Sequence, residues 1–411
     1  MRLKKCLIKW LLLSALIAVT VFSCRKETTP EYDYFVSKEL VFSASEASIS
    51  AVIDYLENSF PGIAYIKQYL ESGVNVYRIV YKTVVNGEEI EASGLVSIPD
   101  KGGEYPVMSF QHGTITLNSG APSENPAGAD NQLVEYMASM GFLMMLPDYP
   151  GFGESDMILH PYLIREPTVQ SVIDMFRALK EICPSEFPGI TIHDKYYLLG
   201  YSQGGWATLA LHKAMELDFS DEFTLAGSAC GAGPYNLYNL FLEILQLNEY
   251  PMPAYLGYII NAYASYDQFT NPVSEIINET YAPGLGTLYN GTMSLGAINA
   301  QLTTSIPGLF TQNFLSGYAS SPAYLSVRQA LINNSISAWN SSIPLFFGHG
   351  NADTDVSVTA TELIYNEMIQ AGTSPGTCTR IIYPDQDHGG AIFPWITDAL
   401  VFLLNIRGNQ K

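Results

Sequence analysis

Short apolar runs along the chain predict the strands of a central sheet. The first two runs, Val74–Val85 and Ile90–Ile98, are rich in β-branched residues and are separated by Asn86-Gly87. A two-residue turn of this kind predicts an antiparallel hairpin. Six shorter runs follow at Val107–Phe110, Phe142–Leu146, Tyr196–Leu199, Thr224–Ala229, Ile343–Phe347 and Thr379–Tyr383. Such continuous apolar runs are typical of strands that are buried on both faces.

Helix-like stretches separate most of these runs. They are the lead-in Ala51–Ser72 and the stretches Thr168–Ile182, Gln203–Leu217, Val358–Ala371 and Trp395–Ile406. A hairpin followed by alternating strands and helices favours an α/β fold. We therefore predict a mostly parallel sheet of eight strands, with helices covering both of its faces.

One long segment interrupts this alternation. Residues 231–342 are rich in Tyr, Leu, Asn and Gly and contain almost no Lys or Arg. The segment follows the sixth predicted strand. We expect it to be an inserted, mainly helical cap between a first part of the core, residues 51–230, and a second part, residues 343–411.

The N-terminus has the pattern of an export signal. Four basic residues accompany the 13-residue apolar run Trp10–Phe22, which suits a signal-peptide core and is short for a bilayer span. The run ends in Phe22-Ser23-Cys24, which resembles a bacterial lipoprotein box. We expect a signal peptide over 1–23, a lipid anchor on Cys24 and a polar tether over 24–50; an uncleaved membrane anchor is the alternative.

The charge balance restricts the partners of the mature chain. Four of the 20 basic residues and none of the 40 acidic residues lie in the first 23 positions, which leaves 16 basic residues and a formal net charge of −24. A strongly acidic chain argues against binding of nucleic acid and against adsorption to anionic lipid headgroups.

The cysteines do not form a framework for the fold. Besides Cys24, the mature chain has Cys183, Cys230 and Cys378, which allow at most one disulfide and have no metal-ligand spacing.

A candidate nucleophile follows the fifth predicted strand. Ser202 stands between Gly200 and Gly204, directly before a helix-like stretch. A nucleophilic serine on a sharp strand-to-helix turn needs small residues two positions before and after it. The pentapeptide therefore predicts a nucleophile elbow with Ser202 as the nucleophile.

A serine nucleophile needs a base, and His388 is the best candidate among six histidines. A serine hydroxyl requires a base within hydrogen-bond reach and an acid that orients the base. His388 lies in a turn just past the last predicted strand, at the sheet edge where ligands bind in open α/β folds. His112 suits an oxyanion loop, and His349 lies beside the candidate acid; the others are His160, His193 and His212, in loops or a helix.

The acid is predicted in the loop before the final helix–strand unit. Asp353 follows the seventh predicted strand and precedes the point where the chain turns toward a helix, so we expect it to orient His388. Asp355 is the alternative, because aspartate is also common at turns and helix starts. Asp387 is less suitable, because neighbouring side chains in an extended segment point to opposite faces.

Two backbone amides are predicted to form the oxyanion hole. One is the N–H of Gln203, the residue after the nucleophile. The other comes from the loop after the third predicted strand, where we expect the amide of Thr114, or alternatively that of Gly113.

The Gly-rich segment 148–155 lacks the features of a phosphate loop. We interpret it as a tight surface loop near the site, with Asp148 bonded to backbone.

Together these segments resemble the α/β-hydrolase superfamily. The motifs are His112-Gly113-Thr114, residues 148–155, the elbow 200–205, residues 349–353 and Asp387-His388-Gly389. The order Ser202, Asp353, His388 is the order of this superfamily. Residues 92–96, 110–114 and 200–205 further resemble the secretory-lipase group related to fungal lipase A. The resemblance implies an α/β-hydrolase fold with a helical cap after the sixth strand and hydrolysis of carboxylic esters.

We therefore expect an exported serine hydrolase that cleaves small-molecule or lipid esters without a cofactor or metal. A serine peptidase and a carbohydrate esterase that removes acetyl or feruloyl groups are alternatives, because they use the same constellation of residues. A ligand-binding lipoprotein on an inactive hydrolase scaffold is the non-enzymatic alternative; the complete set of Ser202, Asp353 and His388 argues against it.

Overall fold

The computed structural model describes residues 32–58 and 62–408. The predicted signal peptide and the predicted lipid anchor on Cys24 lie outside these residues. In the described ranges, no helix is both long and apolar enough to cross a membrane. Cys183, Cys230 and Cys378 are buried free thiols, so they form no disulfide with one another.

The described residues form one sheet of nine strands. In chain order they are β1 (Phe35–Ala44), β2 (Val74–Val85), β3 (Glu88–Pro99), β4 (Gly103–Gln111), β5 (Leu143–Pro147), β6 (Ile190–Tyr201), β7 (Leu225–Gly231), β8 (Leu345–Gly350) and β9 (Cys378–Tyr383). Their spatial order is β1-β2-β3-β5-β4-β6-β7-β8-β9. The pairs β1–β2, β2–β3 and β3–β5 are antiparallel, and the other five pairs are parallel. The predicted mostly parallel α/β sheet is confirmed.

The predicted hairpin joins β2 to β3. Val85 pairs with Glu88 across the turn, and Asn86 and Gly87 have φ angles of 53° and 82°. Asparagine and glycine tolerate positive φ, and a turn with two such residues matches the natural twist of the flanking strands.

The ninth strand lies where we predicted part of the tether. Strand β1 pairs along β2 from Phe35–Tyr81 to Ala44–Val74, and a helix starts at Glu46. The prediction of eight strands and of a tether reaching residue 50 was therefore wrong over residues 35–50. An edge strand needs only one bonded neighbour and buries few side chains, so β1 lacks the apolar run that marks the inner strands; Leu40, for example, is 52% exposed.

Helices cover the sheet and fill the interval between β7 and β8. They are α1 (Glu46–Leu56), α2 (Ala129–Glu135), α3 (Arg165–Glu186), α4 (Gln203–Leu217), α5 (Leu237–Ile244), α6 (Pro253–Ser265), α7 (Val273–Ile276), α8 (Leu285–Leu288), α9 (Leu295–Asn299), α10 (Ile306–Leu309), α11 (Gln312–Gly317), α12 (Leu325–Asn334), α13 (Thr359–Gln370) and α14 (Ile392–Gly408). Short 3₁₀ turns occur at Ile63–Tyr69, Asn118–Gly120, Tyr136–Met140, Gly153–Ser155, Ala282–Gly284 and Pro322–Tyr324. The inserted segment is thus helical, with α5 to α12 in it.

The central strands carry the core. Every residue of β5, β7 and β8 is buried, as expected for parallel strands with helices on both faces. Because β6, β7, β8 and β9 run in parallel, their carboxyl ends lie along one edge of the sheet. The loops that carry Ser202, Asp353 and His388 start at that edge.

Candidate active site

Ser202 occupies a strained turn between β6 and α4. Its backbone has φ 59° and ψ −121°, a combination that costs energy for a residue with a side chain. The Ser202 amide donates to the Gly231 carbonyl at 2.8 Å, which ties the turn to β7. The predicted elbow is therefore present, and its strain lies at the residue that we assigned as the nucleophile.

The glycines around Ser202 are required by close backbone contacts. A Cβ on Gly204 would overlap the Gln111 carbonyl at the end of β4, and one on Gly200 would overlap the Gly204 carbonyl. Any side chain at these positions would push α4 away from the sheet. The small residues thus allow the helix to start directly beneath the serine.

His388 lies beside the serine. It follows β9, and its Nε2 is 3.0 Å from Ser202 Oγ. The Tyr201 hydroxyl donates to the His388 carbonyl at 2.8 Å, and the two rings are in tilted contact at 5.3 Å. These contacts hold the turn that carries the imidazole against the nucleophile turn.

Asp353 lies on the opposite side of the His388 ring. Its Oδ2 is 2.6 Å from His388 Nδ1, while its Oδ1 accepts from the amides of Asp355 and Val356, both at 2.9 Å. Burial alone would raise the pKa of Asp353, but hydrogen bonds with His349 and His388 outweigh it and hold that pKa below its usual range. An ionised Asp353 favours the tautomer with a proton on Nδ1, which leaves the Nε2 lone pair free to accept from Ser202.

A second histidine contacts the same carboxylate. His349, fully buried at the end of β8, has its Nε2 3.1 Å from Asp353 Oδ2 and 2.9 Å from the Val356 carbonyl. Its Nδ1 is 2.8 Å from the Thr361 hydroxyl. Because a carbonyl can only accept, Nε2 carries the proton and donates. The sequence places His349 beside the acid but does not predict this contact, because it depends on how the turn after β8 folds back.

The two alternative acids lie elsewhere in the site. Asp355 is half-buried, and we find no hydrogen bond between its carboxylate and His388 among the described residues; burial raises its pKa. Asp387 is exposed, and its Oδ1 accepts from the Gly390 amide at 2.7 Å. Of the three aspartates, Asp353 is the one that contacts the imidazole.

The predicted oxyanion loop lies against Ser202. A Cβ on Gly113 would be 3.8 Å from Ser202 Cβ and 3.5 Å from the Tyr201 carbonyl, so the loop after β4 passes directly beside the elbow. Thr114 follows in this loop. Gln203 is buried as the first residue of α4, where a helical amide has no carbonyl ahead of it within the helix.

Three of the remaining four histidines are buried and have polar partners. The imidazole of His112 lies between the carbonyls of Gly113 and Asp148, and burial lowers its pKa. His212 lies inside α4 with Ser228 and Ser341 as partners, and His193 is exposed. The Nε2 of His160 lies 2.8 Å from the side-chain nitrogen of Gln203.

The segment 148–155 differs from the predicted surface loop. Asp148 is fully buried and accepts from the amide of Ser123 and from the hydroxyl of Ser93. Tyr149 and Phe152 are buried as well. Most of the loop is therefore buried against β3, and Glu154 is its one exposed residue.

Fold and site together define the class of protein. A serine on a strained turn after a central parallel strand, with an aspartate and a histidine after the second and third strands beyond it on one side, is the arrangement of an α/β hydrolase. Many solved structures share the fold, and three of them illustrate the range of likeness. A putative hydrolase from Legionella pneumophila matches with a TM-score of 0.80, 24% identity and coverage of 91% of this chain and 98% of that chain.

The other two structural relatives are ester hydrolases. The rice cell wall degrading esterase LipA from Xanthomonas oryzae matches with a TM-score of 0.75 and 24% identity, over 91% of this chain and 95% of that chain. Candida antarctica lipase A in its closed state matches with a TM-score of 0.63 and 17% identity, over 90% and 82% of the two chains. A search of curated protein sequences found no match.

The chain belongs to the secretory lipase family. The profile of this family matches residues 123–384, which is more than half of the chain and includes the elbow and the loop of Asp353. The protein is therefore a carboxylic-ester hydrolase on an α/β-hydrolase fold, as the resemblance in the sequence implied.

Proposed function

We propose that the protein is an exported serine esterase or lipase that works through a Ser202–His388–Asp353 triad and an acyl-enzyme. The observation that carries the proposal is the unbroken chain of contacts from Ser202 Oγ through both ring nitrogens of His388 to Asp353 Oδ2, at 3.0 and 2.6 Å. A base on the serine and an acid on the base are the parts that a serine nucleophile needs.

In the acylation step, His388 Nε2 takes the Ser202 proton while Ser202 Oγ attacks the ester carbonyl. The resulting imidazolium is stabilised by Asp353, which the low pKa of its carboxyl keeps ionised. The amides of Gln203 and Thr114 stabilise the oxyanion. His388 then protonates the leaving alcohol as the carbon–oxygen bond of the ester breaks.

In the deacylation step, water replaces the alcohol. His388 takes a proton from the water, whose oxygen attacks the acyl carbonyl, and returns that proton to Ser202 Oγ as the acid product leaves. The same two amides stabilise the second oxyanion, and each such donor contributes roughly 2.7–4 kcal/mol. No step of this scheme uses a metal or an organic cofactor.

The inserted helices are proposed to act as a cap that shapes the substrate pocket. They lie next to the catalytic loops: the Tyr250 hydroxyl of the insertion donates to the Asp355 carbonyl at 2.6 Å. An apolar, tyrosine-rich wall suits the acyl or alcohol part of an ester. We further propose that the signal peptide over 1–23 exports the chain and that Cys24 carries a lipid anchor.

A carbohydrate ester is the second candidate substrate. It is favoured by the likeness, over 91% of this chain, to an esterase that degrades the plant cell wall. Aromatic side chains can stack on sugar rings or phenolic acyl groups, and the insertion contains many tyrosines. The chemical step would be the same, so only the substrate distinguishes the two candidates.

A labelling experiment tests the nucleophile. A fluorophosphonate probe should label the wild type and fail to label Ser202→Ala, while Ser320→Ala, a change at an exposed serine, should label normally. Equal labelling of Ser202→Ala and wild type would contradict the proposal.

A second experiment ranks the substrates by measuring turnover of p-nitrophenyl esters of several acyl lengths, acetylated xylan and aminoacyl anilides. Cleavage of anilides without ester turnover would favour a peptidase.

A further inference from the structure

Two buried polar side chains of the loop between β5 and α3 reach the proposed oxyanion donors. His160 and Tyr162 are 2% and 4% exposed, and the mechanism above uses neither. They are separated only by Pro161. Each contacts one of the two residues whose amides we assign to the oxyanion hole.

His160 holds the side chain of Gln203. Its Nδ1 is 2.7 Å from the Pro150 carbonyl, so Nδ1 carries a proton and donates. Burial lowers the pKa of His160 to about 3, so the ring is neutral and its Nε2 is an acceptor. The Gln203 side-chain amide donates to that Nε2 at 2.8 Å. This bond fixes the residue whose backbone N–H faces the oxyanion.

Tyr162 holds Thr114. The two hydroxyls are 2.8 Å apart. Thr114 lies in the loop after β4, where the proposed second donor is its backbone amide. A side-chain bond at this residue limits rotation of the loop and therefore the direction of the amide. His160 and Tyr162 thus each hold one of the two proposed donor residues.

Helix α6 of the insertion clamps this segment. The ring of Tyr258 stacks on that of Tyr162 at 4.3 Å with an interplanar angle of 9°. The hydroxyl of Tyr266, the residue directly after α6, donates to the Leu159 carbonyl at 2.5 Å, and that of Tyr263 donates to the Leu163 carbonyl at 2.9 Å. The backbone is therefore tied to the insertion on both sides of His160 and Tyr162.

We infer that His160 and Tyr162 are positioning residues that aim the two oxyanion amides, and that helix α6 holds them in place. The inference rests on the proposed function and deepens it. An oxyanion donor works only when it points at the position that the developing charge will occupy, so its support contributes to the transition state more than to substrate binding. Packing of the insertion is thereby coupled to the chemical step.

Single substitutions test the two contacts separately. Tyr162→Phe keeps the ring on Tyr258 and removes the hydroxyl, and His160→Phe removes the acceptor for Gln203. We expect each to lower kcat by roughly 10- to 100-fold with little change in KM, when enzyme is counted by fluorophosphonate titration of active sites. Tyr324→Phe is the matched control, because this buried tyrosine of the insertion donates to the Glu275 carbonyl, outside α6. His160→Gln, which restores an acceptor, should recover part of the rate.

Two further measurements separate positioning from general support of the fold. Affinity for a trifluoromethyl ketone, which forms a tetrahedral adduct with the serine, should fall in parallel with kcat/KM. The effects of Thr114→Val and Tyr162→Phe should not add in the double variant, because they remove the same bond. Unchanged kcat and ketone affinity in both Tyr162→Phe and His160→Phe would overturn the inference. In that case, labelling of the wild type by the fluorophosphonate probe would still support the proposed function. An unlabelled, inactive wild type would overturn the proposed function itself.

Discussion

His349 Nε2 lies 3.1 Å from Asp353 Oδ2, the same oxygen that faces His388 Nδ1 at 2.6 Å. The carboxylate is therefore held by one histidine from behind while it orients the other. We expect His349→Phe to lower kcat at least about tenfold, because a small displacement of Asp353 misaligns His388. Steady-state kinetics with titrated active sites checks this.

The conservative variant gives the control for that contact. His349→Gln can still donate to Asp353 and should retain more activity than His349→Phe. His193→Phe, at an exposed histidine, should behave as wild type. If His349→Phe kept full kcat, the second donor would have no part in orienting the acid.

The two neighbouring carboxylates should differ strongly on substitution. Asp353→Asn removes the charge that fixes the His388 tautomer and should lower kcat by roughly 10⁴-fold. Asp355→Asn changes a half-buried carboxylate that is not bonded to the imidazole and should cost far less. Comparison of kcat for p-nitrophenyl esters decides between them; equal losses would mean that Asp353 is not the acid.

The buried carboxyl of Glu135 should make stability depend on pH. Glu135 is fully buried, neither oxygen has a hydrogen-bond partner among the described residues, and burial raises its pKa to about 8. The folded state therefore holds this proton more tightly than the unfolded chain. The tighter binding of this proton stabilises the folded state fully at a pH below the ordinary pKa of 4.5, and this stabilisation is lost as the pH rises through about 8.

Glu135→Gln tests that dependence. The variant should melt several degrees higher than wild type at pH 9, and the difference should shrink as the pH falls toward 4. Thermal melts across this range provide the measurement. A variant that melts below wild type at pH 9 would show that the ionised carboxylate has a partner in solution.

Gly204→Ala should damage both the elbow and the fold. The new methyl group would overlap the Gln111 carbonyl, which neither backbone segment can avoid without moving α4. We expect loss of activity and a lower melting temperature. Gly296→Ala is the matched control, because nothing lies within 4 Å of its Cβ position; it should leave activity unchanged and stability equal or slightly higher. A fully active Gly204→Ala would contradict the packing argument.

The proximity of Ser202, Asp353 and His388 could be predicted because each follows a parallel strand of the sheet, and parallel strands bring their carboxyl ends together. Apolar runs mark those strands regardless of what lies between them. Strand β1 could not be predicted in this way, since an edge strand is defined by backbone bonds to β2 more than by buried side chains. The contact of His160 with Gln203 joins residues 43 positions apart, and only the packing of the intervening loop brings them together.

The insertion leaves the sheet from β7 and returns to β8, its direct neighbour, where Gly231 pairs with Gly348. Its two ends are therefore anchored in neighbouring strands: the insertion leaves at Gly231, the carboxyl end of β7, and returns at Leu345, the amino end of β8. During evolution the insertion could be lengthened, shortened or exchanged without shifting the strands that precede Ser202, Asp353 and His388. The substrate range of such an enzyme could therefore change through the insertion alone, provided that each new insertion also packs an aromatic ring on Tyr162.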